Sequence, residues 1–387
     1  MPAGERSPKQ HFRSARNAVI TSLLRSGELS RSELSGITGV SPAAITEVTQ
    51  SLLQQGLLAE IPSLSTNGRR GRPIVNLRLQ ASHAYFVGIS VGESAMPMVI
   101  TNLCGEVVAH HNLPTRKSPG HLVKTVQKAL QEILRAARIP RSRIRGIGIT
   151  ISGIVDANEG ICRYSADLGW RDVPAAQLIA KALRIPVWVD NDANTIAVGE
   201  KFFGKGRDIE HFSSIMLGRT IGSAHYMHGK LYRGHSDSAG EIGHIAVVPG
   251  GLQCRCGRKG CLDTVAGGLA LRNAAKLSGF PVRKTRELEE VALHGNTEAT
   301  RLLQNAGTCV GLAVAALVHL NNPQCILFRD FEGFGDGIFR TATRQAIENN
   351  IMSRYLGSTQ IIFNDAERDL LPRSAASIAA FEYLNSL

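Results

Sequence analysis

In the stretch Gly240–Gly268, GEIGHIAVVPGGLQCRCGRKGCLDTVAGG, one imidazole and three thiols share a single glycine-rich run: His244, Cys254, Cys256 and Cys261. A tetrahedral zinc needs N and S donors at about 2.0–2.3 Å, and glycine lets several thiolates turn toward one point without steric cost. The Cys-x-Cys step is tighter than the common Cys-x-x-Cys knuckle, so a disulfide or a set of free buried thiols is the competing reading. Four soft or borderline donors in one loop favour zinc, one per chain. Four protein ligands close the site to water, so the role expected is structural and not catalytic. Glu241 lies three residues before His244, and Asp263 two after Cys261. A loop folded around the metal therefore gathers two carboxylates and an imidazole, the groups that grip a hydroxyl-rich, weakly charged ligand such as a sugar.

The 387-residue chain is 43% hydrophobic and 5% aromatic, enough for two or three domains with their own cores. The N-terminal MPAGERSPKQHFRSAR lacks an apolar signal core, and no run of about 18 apolar residues occurs, so neither export nor membrane insertion is indicated. Outside the metal loop, Cys104, Cys162, Cys309 and Cys325 are scattered in apolar surroundings. That pattern suits reduced thiols and a cytoplasmic protein, not a disulfide framework. A formal net charge of +12 and a pI near 9.6 favour a polyanionic partner.

The N-terminal part points to which polyanion. Helical spacing of apolar residues from Ser14 to Leu24 ends at Gly27; Ser30 with Glu33 forms a capping-box pattern that opens a second helix, closed by Gly39. Ser41-Pro42 then caps and starts a third helix that runs to Gly56. Leu57–Ile61 and Pro73–Leu79 read as strands joined by a polar hairpin holding Arg69, Arg70 and Arg72. The pattern is a winged helix-turn-helix over residues 12–80. Small polar residues at the start of its third helix, Ser41, Ala43, Ala44 and Thr46, with Gln50 further along, permit close approach to a major groove. Arg70-Gly-Arg72-Pro can place guanidinium groups in an A·T-rich minor groove.

From His83 the texture is α/β. Tyr85–Val91 and Met98–Thr101 read as strands, His121–Ala137 as an amphipathic helix, and Arg145–Asp156 as a buried strand ending in a glycine turn. Val187–Glu200 is an apolar strand that breaks into Asn191-Asp192 before a helix. A carboxylate at such a strand end is where α/β folds place chemistry, although an Asn-Asp pair there also serves as a helix cap.

Glu-x-Gly-His at 241–244, followed by Cys-x-Cys-Gly-x-x-Gly-Cys-x-Asp at 254–263, resembles the signature of the ROK family of repressors, open reading frames and sugar kinases. The resemblance implies an α/β fold: a two-lobed actin-like ATPase domain behind the N-terminal winged helix-turn-helix, with a smaller lobe from 83–190 and 365–387 and a larger, zinc-bearing lobe from 191–364. It implies sugar contacts at Gly153, Asn191, Asp192, Glu241, His244 and Asp263, where Asp263 replaces the family's usual Glu, and it makes Asp192 the position of the kinase general base. Ser152 stands where the family usually has proline, and Asp167 stands for the Asn of Asn-Leu-Gly-Trp. The nucleotide side departs further. Ser90-Val91-Gly92-Glu93-Ser94 replaces Asp-x-Gly-Gly-Thr, Leu217-Gly218-Arg219-Thr220-Ile221-Gly222 replaces Leu-Gly-Thr-Gly-Ile-Gly, and Arg329-Asp330-Phe331 stands where a Gly-Gly pair is expected. Phosphate cradles need glycine backbone and a metal-holding carboxylate. The expectation is therefore a sugar-responsive transcription factor without catalytic residues, binding operator DNA as a homodimer or homotetramer. The alternatives are a bifunctional sugar kinase that also binds DNA, and a body that only oligomerises the head or docks a phosphotransferase-system protein.

Overall fold

The computed structural model describes residues 8–62, 75–92, 96–114 and 118–387; Arg69, Arg70, Arg72, Glu93 and Ser94 lie outside these. Helix α1 (Pro8–Ser26) starts earlier than the apolar spacing suggests. Strand β1 (Glu28–Ser30) follows, then α2 (Arg31–Thr38), α3 (Pro42–Gln54), β2 (Leu58–Pro62) and β3 (Val75–Leu79). The capping box forms as the sequence requires: Ser30 N donates to Glu33 Oε2 at 2.8 Å, and Glu33 N donates to Ser30 Oγ at 3.3 Å. Gly39 closes α2 in the left-handed region, and Ser41 Oγ accepts from Ala44 N to start α3. Strand β1 is absent from the sequence reading because its three residues look like a polar lead-in to the cap. It pairs antiparallel with β3, which pairs with β2 on its other side.

The body holds two five-stranded sheets. In the smaller lobe β4 (Tyr85–Val91), β5 (Met96–Asn102), β6 (Val107–Leu113), β7 (Ile144–Ile151) and β11 (Val187–Asn191) stand in the order 11-7-4-5-6, with the pairs 4/7 and 7/11 parallel. The glycine turn expected in the Arg145–Asp156 run falls at Ser152-Gly153; the residues beyond it form β8 (Ile154–Asp156), in a small antiparallel sheet with β9 (Ile161–Ser165) and β10 (Trp170–Val173). Helices α4 (Pro119–Ala137) and α5 (Ala175–Leu183) bury their apolar faces against the outer face of the main sheet.

The larger lobe continues through α6 (Asp192–Phe203) into β12 (Phe212–Leu217), β13 (Ile221–Met227) and β14 (Lys230–Tyr232). After the Cys/His loop come α7 (Asp263–Ala266), α8 (Gly268–Leu277), α9 (Arg286–Leu293), α10 (Thr297–Asn321), β15 (Cys325–Asp330), α11 (Ile338–Asn350), β16 (Gln360–Asp365) and α12 (Leu370–Ser386). The sheet order is 14-13-12-15-16. Helix α10 is long and apolar enough to cross a membrane, but it packs with α11 in the core of this lobe. Helices α6 and α12 pack on each other between the two sheets. Gly88 and Gly148 make room for α12: a β-carbon there would meet Pro372 O at 1.8 Å or Ala375 O at 1.7 Å. The head is joined to the body through the same helix, since Ala376, Ala379, Ala380 and Leu384 belong to one buried cluster with Val19, Leu23, Leu52 and Leu77.

Candidate sugar and metal site

The glycine-rich loop folds back on itself through isolated bridges Ala246–Cys261 and Gln253–Lys259. Gly260 is irreplaceable in that fold: its φ is +75°, and a β-carbon would lie 1.7 Å from Val248 O. The ligand atoms of His244, Cys254, Cys256 and Cys261 all lie within 4.8 Å of one another. Cys254 Sγ is 3.6 Å from His244 Nδ1, and Cys256 Sγ is 3.6 Å from Cys261 Sγ. Tetrahedral bonds of about 2.0–2.3 Å set donor pairs roughly 3.3–3.8 Å apart, so this donor set fits zinc, with Cys254 and Cys261 buried and Cys256 exposed. Nδ1 faces the thiols, and Nε2 faces Glu241, 3.8 Å from its Oε2. One imidazole thus turns one nitrogen to the thiols and the other to the adjoining pocket.

That pocket, 670 Å³ in volume, lies between the lobes, and Gly153, Asn191, Asp192, Glu241, His244 and Asp263 all line it. Each arrives by a local rule. Asn191 ends β11 and caps α6, its Oδ1 accepting from Asn194 N at 2.8 Å, so capping and pocket roles coexist because the side-chain NH₂ is not used by the cap. Asp192 opens α6, and its Oδ1 accepts from the Thr150 hydroxyl at 2.6 Å. Burial, reinforced by the nearby Asp167 charge and opposed by Thr150, raises its carboxyl to about 6. Asp263 spends Oδ1 on Ile221 N at 2.7 Å, and burial raises its pKa as well.

Several residues here are not singled out by sequence. Thr150 sits on β7 with no pattern of its own to mark it. Arg255, inside the Cys-x-Cys step, and Arg219 both approach Asp167 Oδ1, at 3.9 and 3.8 Å. Two departures from the kinase pattern, Asp167 and Arg219, therefore meet across the cleft. Asp190, directly before Asn191, has its side chain only 1% exposed and accepts from Arg233 Nη2 at 2.6 Å, Asn194 Nδ2 at 3.0 Å and Asn191 N at 2.8 Å. The signal for it is a second acid, two residues before Asp192, in Asp190-Asn191-Asp192. This pair ties the smaller lobe's β11 to the base of the 233–240 segment, whose far end lines the pocket.

In the segments where nucleotide loops are expected, the chain's own groups bond to one another. The turn after β12 gives Gly218 O and Arg219 O to the amides of Gly268 and Leu269, at 2.9 and 3.1 Å, which uses the N-terminus of α8. Asp330, at the end of β15, accepts from the amides of Glu332, Gly333 and Phe334 at 2.7–2.9 Å and from Arg340 Nη2 at 3.0 Å. Glu332 pairs with Arg272 at 2.5 Å and accepts from the Thr285 hydroxyl. Asp330 thus stands where the Gly-Gly pair is expected, with Glu332 just beyond it.

In the head, Ser41, Ala43, Thr46 and Gln50 are exposed on or beside α3 and Ala44 is half-buried, forming one outward surface. Glu47, also exposed, shares it. Arg31 is committed within the head, to Glu60 at 2.8 Å and to Thr49 at 3.1 Å.

A three-helix winged head on a two-lobed α/β body, with a Cys/His loop walling the interlobe pocket, defines a sugar-kinase-like protein fused to a DNA-binding unit. The chain belongs to the ROK family, matched over residues 86–369. It is similar to a putative xylose repressor of Caldicellulosiruptor sp. (strain Rt8B.4), 26% identical over 85% of this chain and 86% of the relative. A glucokinase of Halalkalibacterium halodurans is 32% identical over 62% of this chain and 73% of its own. Among solved structures, a ROK family transcriptional regulator described as a homolog of the E. coli MLC protein superposes with a TM-score of 0.82 at 24% identity, covering 97% of this chain and 98% of the other. Head and body together share that fold.

Proposed function

We propose that this protein is a sugar-responsive transcriptional regulator of carbohydrate genes, acting as a repressor that binds operator DNA as a homo-oligomer and does not phosphorylate its ligand. The observation that carries this reading is an asymmetry: hydroxyl-gripping groups converge in the interlobe pocket, while the segment standing where a glycine pair is expected carries Asp330, bonded to its own turn, and Glu332, paired with Arg272. The repressor relative matched over 85% of the chain supports it. Asn191, Asp192, Glu241 and His244 hold the sugar, with Gly153 and Asp263 shaping the wall. His244, Cys254, Cys256 and Cys261 hold one structural zinc, which fixes the imidazole so that its other nitrogen faces the sugar.

A ligand shifts an equilibrium only by preferring one arrangement. Sugar contacts from both lobes favour the closed cleft, and the Asp190–Arg233 pair passes that closure toward the side of the body on which α1 rests. The test is operator affinity measured with and without a sugar found by thermal-shift screening, in the absence of ATP. The expected result is weaker operator binding with sugar, and by linkage equally weakened sugar binding with operator. A requirement for ATP and magnesium would overturn the reading. One observation favours the second reading, a kinase fused to a DNA-binding head: Asp192 keeps the position and the raised pKa of a general base. Turnover of ATP in a coupled assay, abolished in Asp192→Asn, would establish it.

A further inference from the structure

A second cavity, enclosing 410 Å³, lies away from the sugar pocket where α1 of the head meets both lobes and α12. Its walls are amphipathic. Trp188, Phe202 and Phe381 supply aromatic surface, with the rings of Phe202 and Phe381 4.8 Å apart. Lys201, Arg207, Lys230 and Arg233 supply positive charge. The acids among the lining residues are Asp190 and Glu382. Asp190 is consumed by Arg233 and Asn194, and Glu382 is half-buried, with burial raising its pKa and Arg233 opposing that rise.

The cations are poorly compensated. Lys201 Nζ donates to the carbonyls of Ile209 at 2.8 Å and Arg207 at 3.4 Å, and Arg207 donates to the carbonyls of Phe203 at 3.1 Å and Arg25 at 3.3 Å. Among the described residues, neither these two nor Lys230 has a carboxylate within 4.0 Å, whereas Arg25 is paired with Asp208 at 3.2 Å. Glu210 and Asp208 act on Lys201 only from beyond ion-pair distance, so Lys201, Arg207 and Lys230 leave positive charge beside aromatic surface in a recess of ligand size, a complementary surface for an organic anion.

We propose that this junction cavity is a second small-molecule site, taking a compact organic anion with a ring or branched apolar body, through Lys201, Arg207 and Lys230. Because its walls come from the head, both lobes and α12, an occupant binds only while these parts are docked. It therefore biases how the head is presented to DNA independently of the sugar.

The test uses the full chain and two fluorescent probes with similar aromatic bodies, 8-anilinonaphthalene-1-sulfonate and the uncharged N-phenyl-1-naphthylamine. The sulfonate is expected to bind saturably at about one site per chain, and more tightly than the neutral probe. The Lys201→Met/Arg207→Met variant should weaken sulfonate binding about tenfold or more and leave the neutral probe unchanged. Thr21→Trp, which fills the cavity from an exposed position on α1, should block both probes and keeps the proposal testable if the double variant fails to fold. Sulfonate binding that is absent, unaltered by Thr21→Trp, or displaced by the sugar effector would overturn the assignment. None of these readouts depends on whether the sugar pocket regulates operator binding.

Discussion

Replacing Asp192 by Asn should make the protein more stable near neutral pH, although Asp192 lines the pocket on which the proposed function rests. Burial raises this carboxyl from 3.8 to about 6 in the folded chain. The folded state therefore holds a proton more tightly than the unfolded state, and stability falls as pH rises from about 4 to about 6. About two pKa units at 1.36 kcal/mol each set a ceiling of about 3 kcal/mol. Asp192 also borders the solvent of the pocket and sits in the first turn of α6, where the helix dipole favours a negative charge, which brings the expected gain down to about 1–2 kcal/mol. Asn keeps an oxygen for the Thr150 hydroxyl, so the substitution removes charge without removing that bond. Thermal unfolding of both proteins at pH 4, 5, 6 and 8 should show the variant ahead by a few degrees at pH 8 and level at pH 4. A variant less stable at pH 8, or equally favoured at both ends, would refute the claim that an ionised, desolvated Asp192 is the source of the cost.

Metal analysis of protein purified without added zinc should find about one equivalent per chain, and chelation should remove sugar binding along with it; a metal-free chain that still responds to sugar would rule out the loop's role. Arg70→Ala with Arg72→Ala should weaken operator binding, lower the salt dependence by about two phosphate contacts and flatten the preference for A·T flanks, as read by binding titrations over a salt series.

The head and the metal loop were the most legible parts of the chain, because both are governed by local rules. Ser30 with Glu33, Gly39 and Ser41-Pro42 each fix a helix end through bonds within a few residues, and the four candidate ligands of the loop lie between 244 and 261. What the sequence concealed depends on long-range approach. Asp190 and Arg233 come from different lobes, Thr150 on β7 meets Asp192 at the start of α6, and Asp167 meets Arg219 across the cleft. Local sequence marks Asp192, Asp167 and Arg219 one at a time, but nothing in it reveals which groups meet. Strand β1 was missed for the opposite reason: three residues carry too little periodicity, and its pairing with β3 defines it.

The cluster that joins the head to α12 bears on how the protein is made. Tyr383 Oη lies 3.3 Å from His83 Nε2, a contact between positions 300 apart in sequence, and Ala376, Ala379, Ala380 and Leu384 lie in the same buried cluster as the head's apolar residues. Such contacts form only after the intervening chain exists, and their high sequence separation makes them late in folding. At a ribosome adding about 5–20 residues per second, the head waits many seconds for its last packing partner. A nascent chain, or one cut short before α12, thus leaves apolar head surface uncovered, which couples the quality of the DNA-binding unit to synthesis of the whole regulator.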